Sequence, residues 1–202
     1  FKLDAAQAAH SRSARVELAG AANTLVIDAQ GHIHADNTDG LGLVADITRN
    51  ADVAIAGKDL LLIGAGGAAA GVLGPLLEQQ PRSITVCNRT FSKAQALVDQ
   101  HQALAAQQKV ALLAQEQQGL AASFDMVINA TAASLQGAGI PVPASVLRPG
   151  SLAYDMMYGA AAQPFLDWAK DHGATGCDGL GMLVEQAAES FALWRGVRPP
   201  SH

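Results

Sequence analysis

Cysteine is scarce in this sequence: only Cys87 and Cys177 occur among 202 residues, and they lie far apart with no CxxC pair. So low a content suggests neither a disulfide framework nor a cysteine zinc site, and it favours a reduced, cytoplasmic setting. Charged residues are also few, with 18 acidic and 13 basic residues and a net charge of −5. The basic residues form no cluster in the sequence. These features argue against a nucleic-acid partner bound through phosphate neutralisation.

The sequence has one long hydrophobic run, and its length is that of a membrane-spanning helix. Residues 60–77 carry no charge, and about 18 apolar residues are the usual minimum for a spanning helix. Five glycines and Pro75 interrupt the run, so a buried strand, a turn and a helix explain it better, and no membrane partner is expected. The chain opens at Phe1 without an initiator methionine or a signal peptide, and we expect it to be part of a longer protein.

Short apolar runs alternate with helical stretches through the middle of the chain. Runs of this kind are typical of parallel strands covered on both faces, so the predicted fold class is α/β, with a Rossmann-like doubly wound parallel sheet. Helical residues 3–18, strands Thr24–Ile27 and His32–His34, and a helix at Leu41–Ile47 precede it. The predicted sheet strands are Leu60–Ile63, Ile84–Cys87, Val110–Leu113, Met126–Ile128 and Leu152–Tyr154.

Three further local predictions come from residue patterns. Ser92 is expected to cap the helix after the second sheet strand, and the Gln/Ala-rich residues 102–118 are expected to form a solvated connector. The last helix, 179–194, carries apolar residues at i, i+3 and i+4 spacing, which predicts a stripe that faces the core. That stripe comprises Leu180, Leu183, Val184, Ala187, Ala188 and Phe191.

A glycine-rich segment, Gly64-Ala65-Gly66-Gly67-Ala68-Ala69, follows the first sheet strand and matches the pattern GxGxxA. In that pattern the first glycine permits a tight turn, the second lets the backbone approach a pyrophosphate, and the small third residue allows close packing of helix on strand. The helix presents free N–H groups and the positive end of its dipole to the phosphates. An ordinary tight turn could have the same residues, but the surrounding strand and helix favour dinucleotide binding by Gly64, Ala65, Gly66, Gly67 and Ala68.

The end of the second sheet strand bears on the choice between the two nicotinamide dinucleotides. An NAD-selective site places Asp or Glu there to bond the ribose hydroxyls, whereas this strand ends in Asn88-Arg89-Thr90, with Lys93 soon after. A guanidinium can pair with a 2′-phosphate or stack on adenine, and a second cation adds attraction. We therefore predict NADP as the cofactor, held by Asn88, Arg89, Thr90 and Lys93. The alternative is that Arg89 and Lys93 are ordinary surface cations.

Two N-terminal segments, Asp36-Asn37-Thr38-Asp39-Gly40 and Ala21-Ala22-Asn23-Thr24, would by themselves be explained as caps and turns. Together with the glycine-rich segment and five others, they resemble the shikimate dehydrogenase family in order and spacing along nearly the whole chain. The resemblance implies reversible reduction of 3-dehydroshikimate to shikimate with NADPH, in aromatic amino-acid biosynthesis. The other five segments are Phe1-Lys2, Asn88-Arg89-Thr90, Asn129-Ala130-Thr131, Tyr154-Asp155-Met156-Met157-Tyr158 and Asp178-Gly179-Leu180-Gly181-Met182-Leu183.

The resemblance also implies roles for individual residues. Lys2 and Asp39 match a pair that does the acid–base work at the reacting oxygen, where hydride transfer builds charge and a proton donor is needed. Asn23, Tyr158 and Gln186 match substrate contacts. The cofactor would carry the hydride while the protein supplies position and electrostatics. Further matches on the cofactor side are Asn129, Thr131, Met156, Gly179 and Met182.

The predicted organisation has three parts. Residues 1–38 are expected to be the remnant of a substrate-binding domain, and 39–178 the NADP-binding domain with the helix that leads into it. Residues 179–202 are expected to form a C-terminal helix that returns toward the substrate domain. In the family a Ser-x-Ser segment and a His-Asn pair precede the lysine that Lys2 matches, and neither precedes Lys2 in this sequence. If the sequence is the entire molecule, poor substrate affinity and slight turnover are expected.

Two alternatives for function stay open. One is a non-catalytic NADP-binding module, and the other is a quinate/shikimate dehydrogenase. No metal site is predicted, because His32 and His34 are better explained as polar residues on a solvated strand face. Among macromolecular partners, a homodimer is kept as an open alternative.

Overall fold

The structure is a computed structural model and describes residues 2–132 and 139–201. The predicted loop from Gln136 to Gly150 therefore lies partly outside the described residues. Within the described ranges no helix is both long and apolar enough to cross a membrane. Helices α1–α7 cover Lys2–Ala8, Ala14–Ala19, Asp39–Ala45, Gly67–Glu78, Phe91–Gln108, Gln163–Asp171 and Leu180–Arg195. Strands β1–β9 cover Ser11–Arg12, Thr24–Ile27, Ile33–Asp36, Asp59–Ile63, Ser83–Asn88, Ala111–Glu116, Phe124–Asn129, Leu147–Asp155 and Thr175–Cys177.

Six of the strands form one parallel sheet in the order β6-β5-β4-β7-β8-β9, which confirms the predicted doubly wound α/β fold. The central strand β4 is covered on both faces. Leu60 and Leu62 belong to one apolar cluster and Leu61 and Ile63 to another, as the alternation of side chains along a strand requires. Because the strand order reverses between β4 and β7, a crevice opens at their carboxyl ends, where proteins of this fold bind ligands.

A smaller three-stranded sheet, in the order β1-β3-β2, lies at the N-terminal end of the chain. β2 and β3 pair antiparallel, and β1 pairs parallel with β3. The prediction of one helix over residues 3–18 is wrong, because the Ser13 N–H donates to the Ala35 carbonyl at 2.9 Å and draws the chain into the sheet. The Ser13 hydroxyl then accepts from the Val16 N–H at 3.3 Å and caps α2.

The prediction of a solvated connector over residues 102–118 is also wrong. Helix α5 continues into this segment as far as Gln108, and β6 follows at Ala111–Glu116 on the edge of the large sheet. The Gln/Ala composition conceals buried positions, since Ala105 is inaccessible and Leu112 nearly so. Ser92 is not the N-cap of α5, because the helix begins at Phe91 and Thr90 holds the N-cap position. Thr90 makes no side-chain cap hydrogen bond.

The predicted core stripe on the last helix faces outward for the most part. Helix α7 packs closely on α3, where a Cβ at Gly42 would lie 2.6 Å from the Gln186 Cβ. This approach turns Met182 and Ser190 inward, with exposed fractions of 6% and 5%. Of the predicted stripe, Ala188 is buried, whereas Leu180, Leu183, Val184 and Phe191 are 40–52% exposed.

Candidate active site

The glycine-rich turn lies at the crevice between β4 and β7. Gly64 has φ +112°, and a Cβ there would lie 3.1 Å from the Thr131 Cγ2 and 3.3 Å from the Ala130 backbone, so only glycine fits without strain. Gly66 caps the 12-residue helix α4, and a Cβ at Gly66 would meet nothing within 4 Å. Open space in front of a helix N-terminus leaves room for a phosphate group. Gly67 is the first residue of that helix.

A cleft of about 400 Å³ runs from this turn to the end of β5. Arg89 and Lys93 both line it, and neither side chain is in an ion pair within residues 2–132 and 139–201. The Asn88 amide donates to the Thr90 carbonyl at 3.0 Å and shapes the turn that presents them. Two uncompensated cations in such a cleft can hold a phosphate. The cleft therefore gathers seven of the predicted cofactor residues: Ala65, Gly66, Asn88, Arg89, Thr90, Lys93 and Thr131.

Sequence reasoning missed one acidic residue in this region. The register of β5 and β6 places Glu116 opposite Asn88. Glu116 and Arg89 line a smaller adjoining cleft of about 270 Å³ together with Phe91. A carboxylate from the neighbouring strand thus lies near the site even though β5 carries none at its end. Only the strand register, which the sequence alone does not determine, brings Glu116 there.

A larger cavity of about 480 Å³ lies beside the glycine-rich turn. Its walls come from the N-terminal segment, the loops after β7 and β8, and helix α7, so residues from the two ends of the chain meet in it. Tyr158 lies at its rim and is 49% exposed. The cavity gathers ten of the predicted site residues: Lys2, Asn23, Asp39, Ala68, Thr131, Met156, Tyr158, Gly179, Met182 and Gln186.

A hydrogen-bonded turn before α3 sets the position of Asp39. The buried Asp36 carboxylate accepts from the Ser13 hydroxyl at 2.6 Å and from the Arg15 guanidinium at 2.7 Å. Burial raises the pKa of Asp36, but the hydrogen bonds from Ser13, Asn37 and Arg15 outweigh it and hold the pKa below its ordinary value. The Asn37 Oδ1 accepts from the Asp39 N–H at 3.1 Å, so Asp39 begins α3 at a defined place.

Lys2 and Asp39 form an ion pair inside the large cavity. The Lys2 ammonium donates to Oδ2 of Asp39, and the Asn23 amide Nδ2 donates to Oδ1 at 2.8 Å. Asp39 is 6% exposed, whereas the Lys2 side chain is 41% exposed. The carboxylate is therefore held in place from both sides while the ammonium keeps access to the cavity. An ammonium oriented in this way can donate a proton to an oxygen atom that develops charge.

Asn23 and Gln186 provide further polar groups in the same cavity. The Asn23 Nδ2 lies 3.1 Å from the Gln186 Oε1, and the Gln186 Nε2 donates to the Leu183 carbonyl at 3.1 Å. The close approach at Gly42 brings Gln186 from α7 to the start of α3. An amide group offers both a donor and an acceptor, so the pair suits a ligand that carries several hydroxyl groups.

Asn129 lies beneath the cavity and does not line it. Its Oδ1 accepts from the Thr131 N–H at 3.1 Å and the Thr131 hydroxyl at 2.7 Å, and its Nδ2 donates to the Asp155 carboxylate at 3.2 Å. Asp155 is fully buried and also accepts from the Met157 N–H at 2.9 Å. Burial raises the pKa of Asp155 to about 6, with hydrogen bonds from Met157 and Asn129 opposing it. The pair joins the two loops that form the cavity wall, a role that sequence reasoning missed for Asp155.

A doubly wound sheet with a glycine-rich turn at its crevice and a Lys–Asp pair alongside defines a dinucleotide-binding protein of the oxidoreductase type. The family model "Shikimate / quinate 5-dehydrogenase" matches residues 46–136, and "Shikimate 5'-dehydrogenase C-terminal domain" matches residues 179–202. A protein named shikimate dehydrogenase (NADP(+)) from Acidovorax sp. (strain JS42) is 74% identical over 201 residues. One of the same name from Verminephrobacter eiseniae is 68% identical. All of this chain is covered in both cases, against 71% and 70% of the relatives. The chain belongs to the shikimate dehydrogenase family.

Solved structures agree with this assignment. The chain is similar to an Ael1 enzyme from Pseudomonas putida, with a TM-score of 0.90 and 45% identity, over all of this chain and 72% of that one. It is also similar to the Thermus thermophilus shikimate 5-dehydrogenase in complex with NADP(H) and shikimate. That match has a TM-score of 0.83 and 28% identity, over 99% of this chain and 72% of that one. The family is thus supported by sequence and by fold.

Proposed function

We propose that this chain catalyses the reversible reduction of 3-dehydroshikimate to shikimate with NADPH. One observation carries the proposal: the Lys2–Asp39 pair lies in the same cavity as Thr131, Met156 and Gly179, beside the turn at the crevice. The names of the close relatives support the same reaction and the same cofactor. This chemistry requires a proton donor and a hydride donor to reach the same carbonyl group. The cavity contains the proton donor and adjoins the residues predicted to hold the cofactor.

Lys2 is the proposed proton donor to the ketone oxygen. When hydride adds to the carbonyl carbon, the π electrons move to the oxygen, and the Lys2 ammonium supplies the proton that completes the hydroxyl group. Asp39 accepts a hydrogen bond from Lys2 and keeps its ammonium in the cavity. In the reverse direction neutral Lys2 takes the hydroxyl proton. General acid–base catalysis of this kind contributes about 10²–10⁴ in rate.

Asn23, Gln186 and Tyr158 are the proposed substrate contacts. Each offers a hydrogen-bonding group that suits a hydroxylated ring, and all three line the cavity that contains the Lys2–Asp39 pair. A ligand hydroxyl could replace the mutual contact of Asn23 and Gln186 and bind to both. The substrate would thereby be oriented with its reacting carbon toward Met156 and Gly179.

The residues along the glycine-rich turn fit a phosphorylated dinucleotide. The space in front of Gly66 accepts a backbone-bound phosphate, and Arg89 with Lys93 would hold a 2′-phosphate in the adjoining cleft. The cofactor supplies hydride when it is bound. Residues 39–178 form the proposed cofactor domain, with 1–38 and 179–202 on the substrate side. We also propose a cytoplasmic location, which the free thiols of Cys87 and Cys177 support.

A turnover assay on the purified chain tests this proposal. NADPH formation is followed by absorbance after mixing the chain with NADP⁺ and shikimate, and parallel reactions replace shikimate with quinate and NADP⁺ with NAD⁺. We expect shikimate-dependent turnover that is faster with NADP⁺ than with NAD⁺. Faster turnover of quinate would instead establish a quinate dehydrogenase.

A binding measurement separates an enzyme from a binding module. NADPH binding is followed by the change in its fluorescence, with no substrate present. Binding with turnover is the expected result. Binding without turnover of either acid would contradict the proposed reaction and leave a non-catalytic NADP-binding module.

A further inference from the structure

Four polar side chains form a closed ring of hydrogen bonds behind the large cavity. The Asn23 Nδ2 donates to the Thr38 hydroxyl at 3.0 Å, and the Thr24 hydroxyl donates to the Asn23 Oδ1 at 2.8 Å. Ser190 closes the ring from α7, with its Oγ 3.0 Å from the Thr38 Oγ1 and 2.7 Å from the Thr24 Oγ1. Thr24, Thr38 and Ser190 are at most 5% exposed, so this ring lies away from solvent.

The orientation of the Asn23 amide gives the ring a single direction. The Asn23 Oδ1 accepts from the Thr38 backbone N–H at 2.9 Å, and its Nδ2 lies 2.8 Å from the Asp39 carboxylate. Exchanging the two ends of the amide would set donor against donor and acceptor against acceptor. Because Thr24 donates to Asn23, the Ser190 proton is shared between the Thr24 hydroxyl at 2.7 Å and the Gln186 backbone carbonyl at 3.1 Å, and Thr38 donates to Ser190. Each hydroxyl group therefore has a donor on one side of the ring and an acceptor on the other.

We propose that Ser190 is a positioning residue for the substrate site. By closing the ring it holds the Thr38 hydroxyl as the acceptor of one Nδ2 hydrogen of Asn23 and so directs the other hydrogen toward Asp39 and Gln186, into the cavity. The inference rests on the proposed function, because the Asn23 N–H that points into the cavity is assigned to a hydroxyl group of the substrate. Ser190 itself is proposed to touch neither substrate nor cofactor, and it lies in none of the sequence motifs described above.

Loss of the Ser190 hydroxyl leaves the Thr38 hydroxyl with two more distant acceptors among the described residues. These are the Asn23 Oδ1 and the Gln186 Oε1, each 3.3 Å away. A hydrogen bond to the Asn23 Oδ1 would compete with those from Thr24 and the Thr38 N–H, which fix the amide. A hydrogen bond to the Gln186 Oε1 would occupy an acceptor that faces the cavity. Loss of Ser190 should therefore disturb both substrate-contacting amides through Thr38.

Kinetic constants of three variants test the proposal. Ser190→Ala should raise the KM for shikimate about three- to tenfold, the usual worth of one buried hydrogen bond, with kcat and the Kd of NADPH within about twofold of wild type. Ser190→Thr, which restores a hydroxyl, should recover most of the KM. Ser151→Ala is the matched control, because Ser151 is 3% exposed and its hydroxyl has no hydrogen-bond partner in the described residues.

Side-chain NMR tests the ring in the free protein and does not depend on turnover. The Asn23 amide signals, identified by their loss in Asn23→Ala, should show slow hydrogen exchange in wild type and Ser151→Ala and faster exchange in Ser190→Ala. An unchanged KM together with unchanged exchange in Ser190→Ala would overturn the proposal. Wild-type protein that shows the slow exchange but no shikimate turnover would contradict the proposed function and leave the ring as a structural feature only.

Discussion

The ammonium of Lys2 contacts the carboxylate of Asp39 across a separation of 37 positions in the sequence. Two backbone features bring them together. The Lys2 carbonyl accepts from the Ala22 N–H at 2.9 Å, which fixes the start of α1 beside the small sheet. Asp39 is the first residue of α3. Because Lys2 reaches the cavity from one side and Asp39 from the other, the pair joins the N-terminal segment to the helix that leads into the large sheet.

Replacing Asp39 with Asn should abolish most turnover while leaving cofactor binding nearly intact. Asp39 holds the proposed proton donor but does not line the cleft with Arg89. We expect turnover to fall by about 10²–10⁴ and the Kd of NADPH to change less than about twofold. Asp99→Asn is the control, since Asp99 is an exposed residue of α5 whose carboxylate accepts a hydrogen bond from the Gln95 amide at 2.7 Å. Collapse of NADPH binding in Asp39→Asn would instead make Asp39 a structural residue.

Replacing Arg89 with Ala should weaken NADPH binding far more than NADH binding. The proposed partner of its guanidinium is the 2′-phosphate, which NADH lacks, and a charge-assisted pair is roughly twice as strong as a neutral hydrogen bond. We expect the Kd of NADPH to rise at least about tenfold in a fluorescence titration. The exposed Arg195→Ala on α7 should change neither Kd. Equal losses for the two cofactors would remove Arg89 from 2′-phosphate recognition.

Replacing Gly42 with Ala should destabilise the fold at the contact of α3 and α7. The added Cβ would lie 2.6 Å from the Gln186 Cβ and 2.7 Å from the Met182 carbonyl oxygen. Overpacking of this kind costs about 1–3 kcal/mol, which urea denaturation can resolve. Gly119→Ala is the control, because its Cβ would meet only the Gln115 Nε2, at 4.0 Å. An unchanged free energy of unfolding would show that the two helices can separate freely.

Stability should fall below about pH 6.5 because of a buried histidine. His101 is inaccessible, and burial lowers its pKa from 6.5, with the hydrogen bond to the Leu97 carbonyl opposing the shift. The unfolded chain therefore binds a proton first, so folding free energy is lost as pH falls through the unfolded pKa toward the lower folded one. His101→Leu should reduce this loss in denaturant titrations.

The matched control for that measurement is His172→Leu. Its ring makes the same type of contact, to the Trp168 carbonyl at 2.7 Å, but is exposed. The control should keep the pH dependence of wild type. If His101→Leu also keeps it, another group is responsible for the acid loss of stability.

The sequence predicts the large sheet well because its strands are buried on both faces. A run such as Leu60–Ile63 can be predicted as a strand without knowing which strands pair with it, because every side chain in such a strand must be apolar. The positive φ at Gly64 likewise leaves a local signature in the glycine pattern. These features depend on the residue and its immediate surroundings, so a pattern in the sequence is sufficient to find them.

The buried face of α7 could not be predicted from apolar spacing. The buried face is set by the close approach of α7 to Gly42 and by the hydrogen-bonded ring that Ser190 closes. Both contacts involve residues far away in the sequence. Polar Ser190 is buried while apolar Leu183 is 40% exposed, the reverse of the periodic rule. The position of Glu116 beside Asn88 is similar, because it depends on strand register and not on any local motif.

In the proposed reaction the ketone of 3-dehydroshikimate is reduced in this cavity with hydride from NADPH, and Lys2 supplies the proton. An isotope experiment with the purified chain tests it most directly, using NADPH deuterated at its transferring position and mass spectrometry of the product. We expect shikimate that carries one deuterium, and strongly reduced formation of it in Asp39→Asn. Unlabelled product, or no shikimate from a chain that binds NADPH, would contradict it.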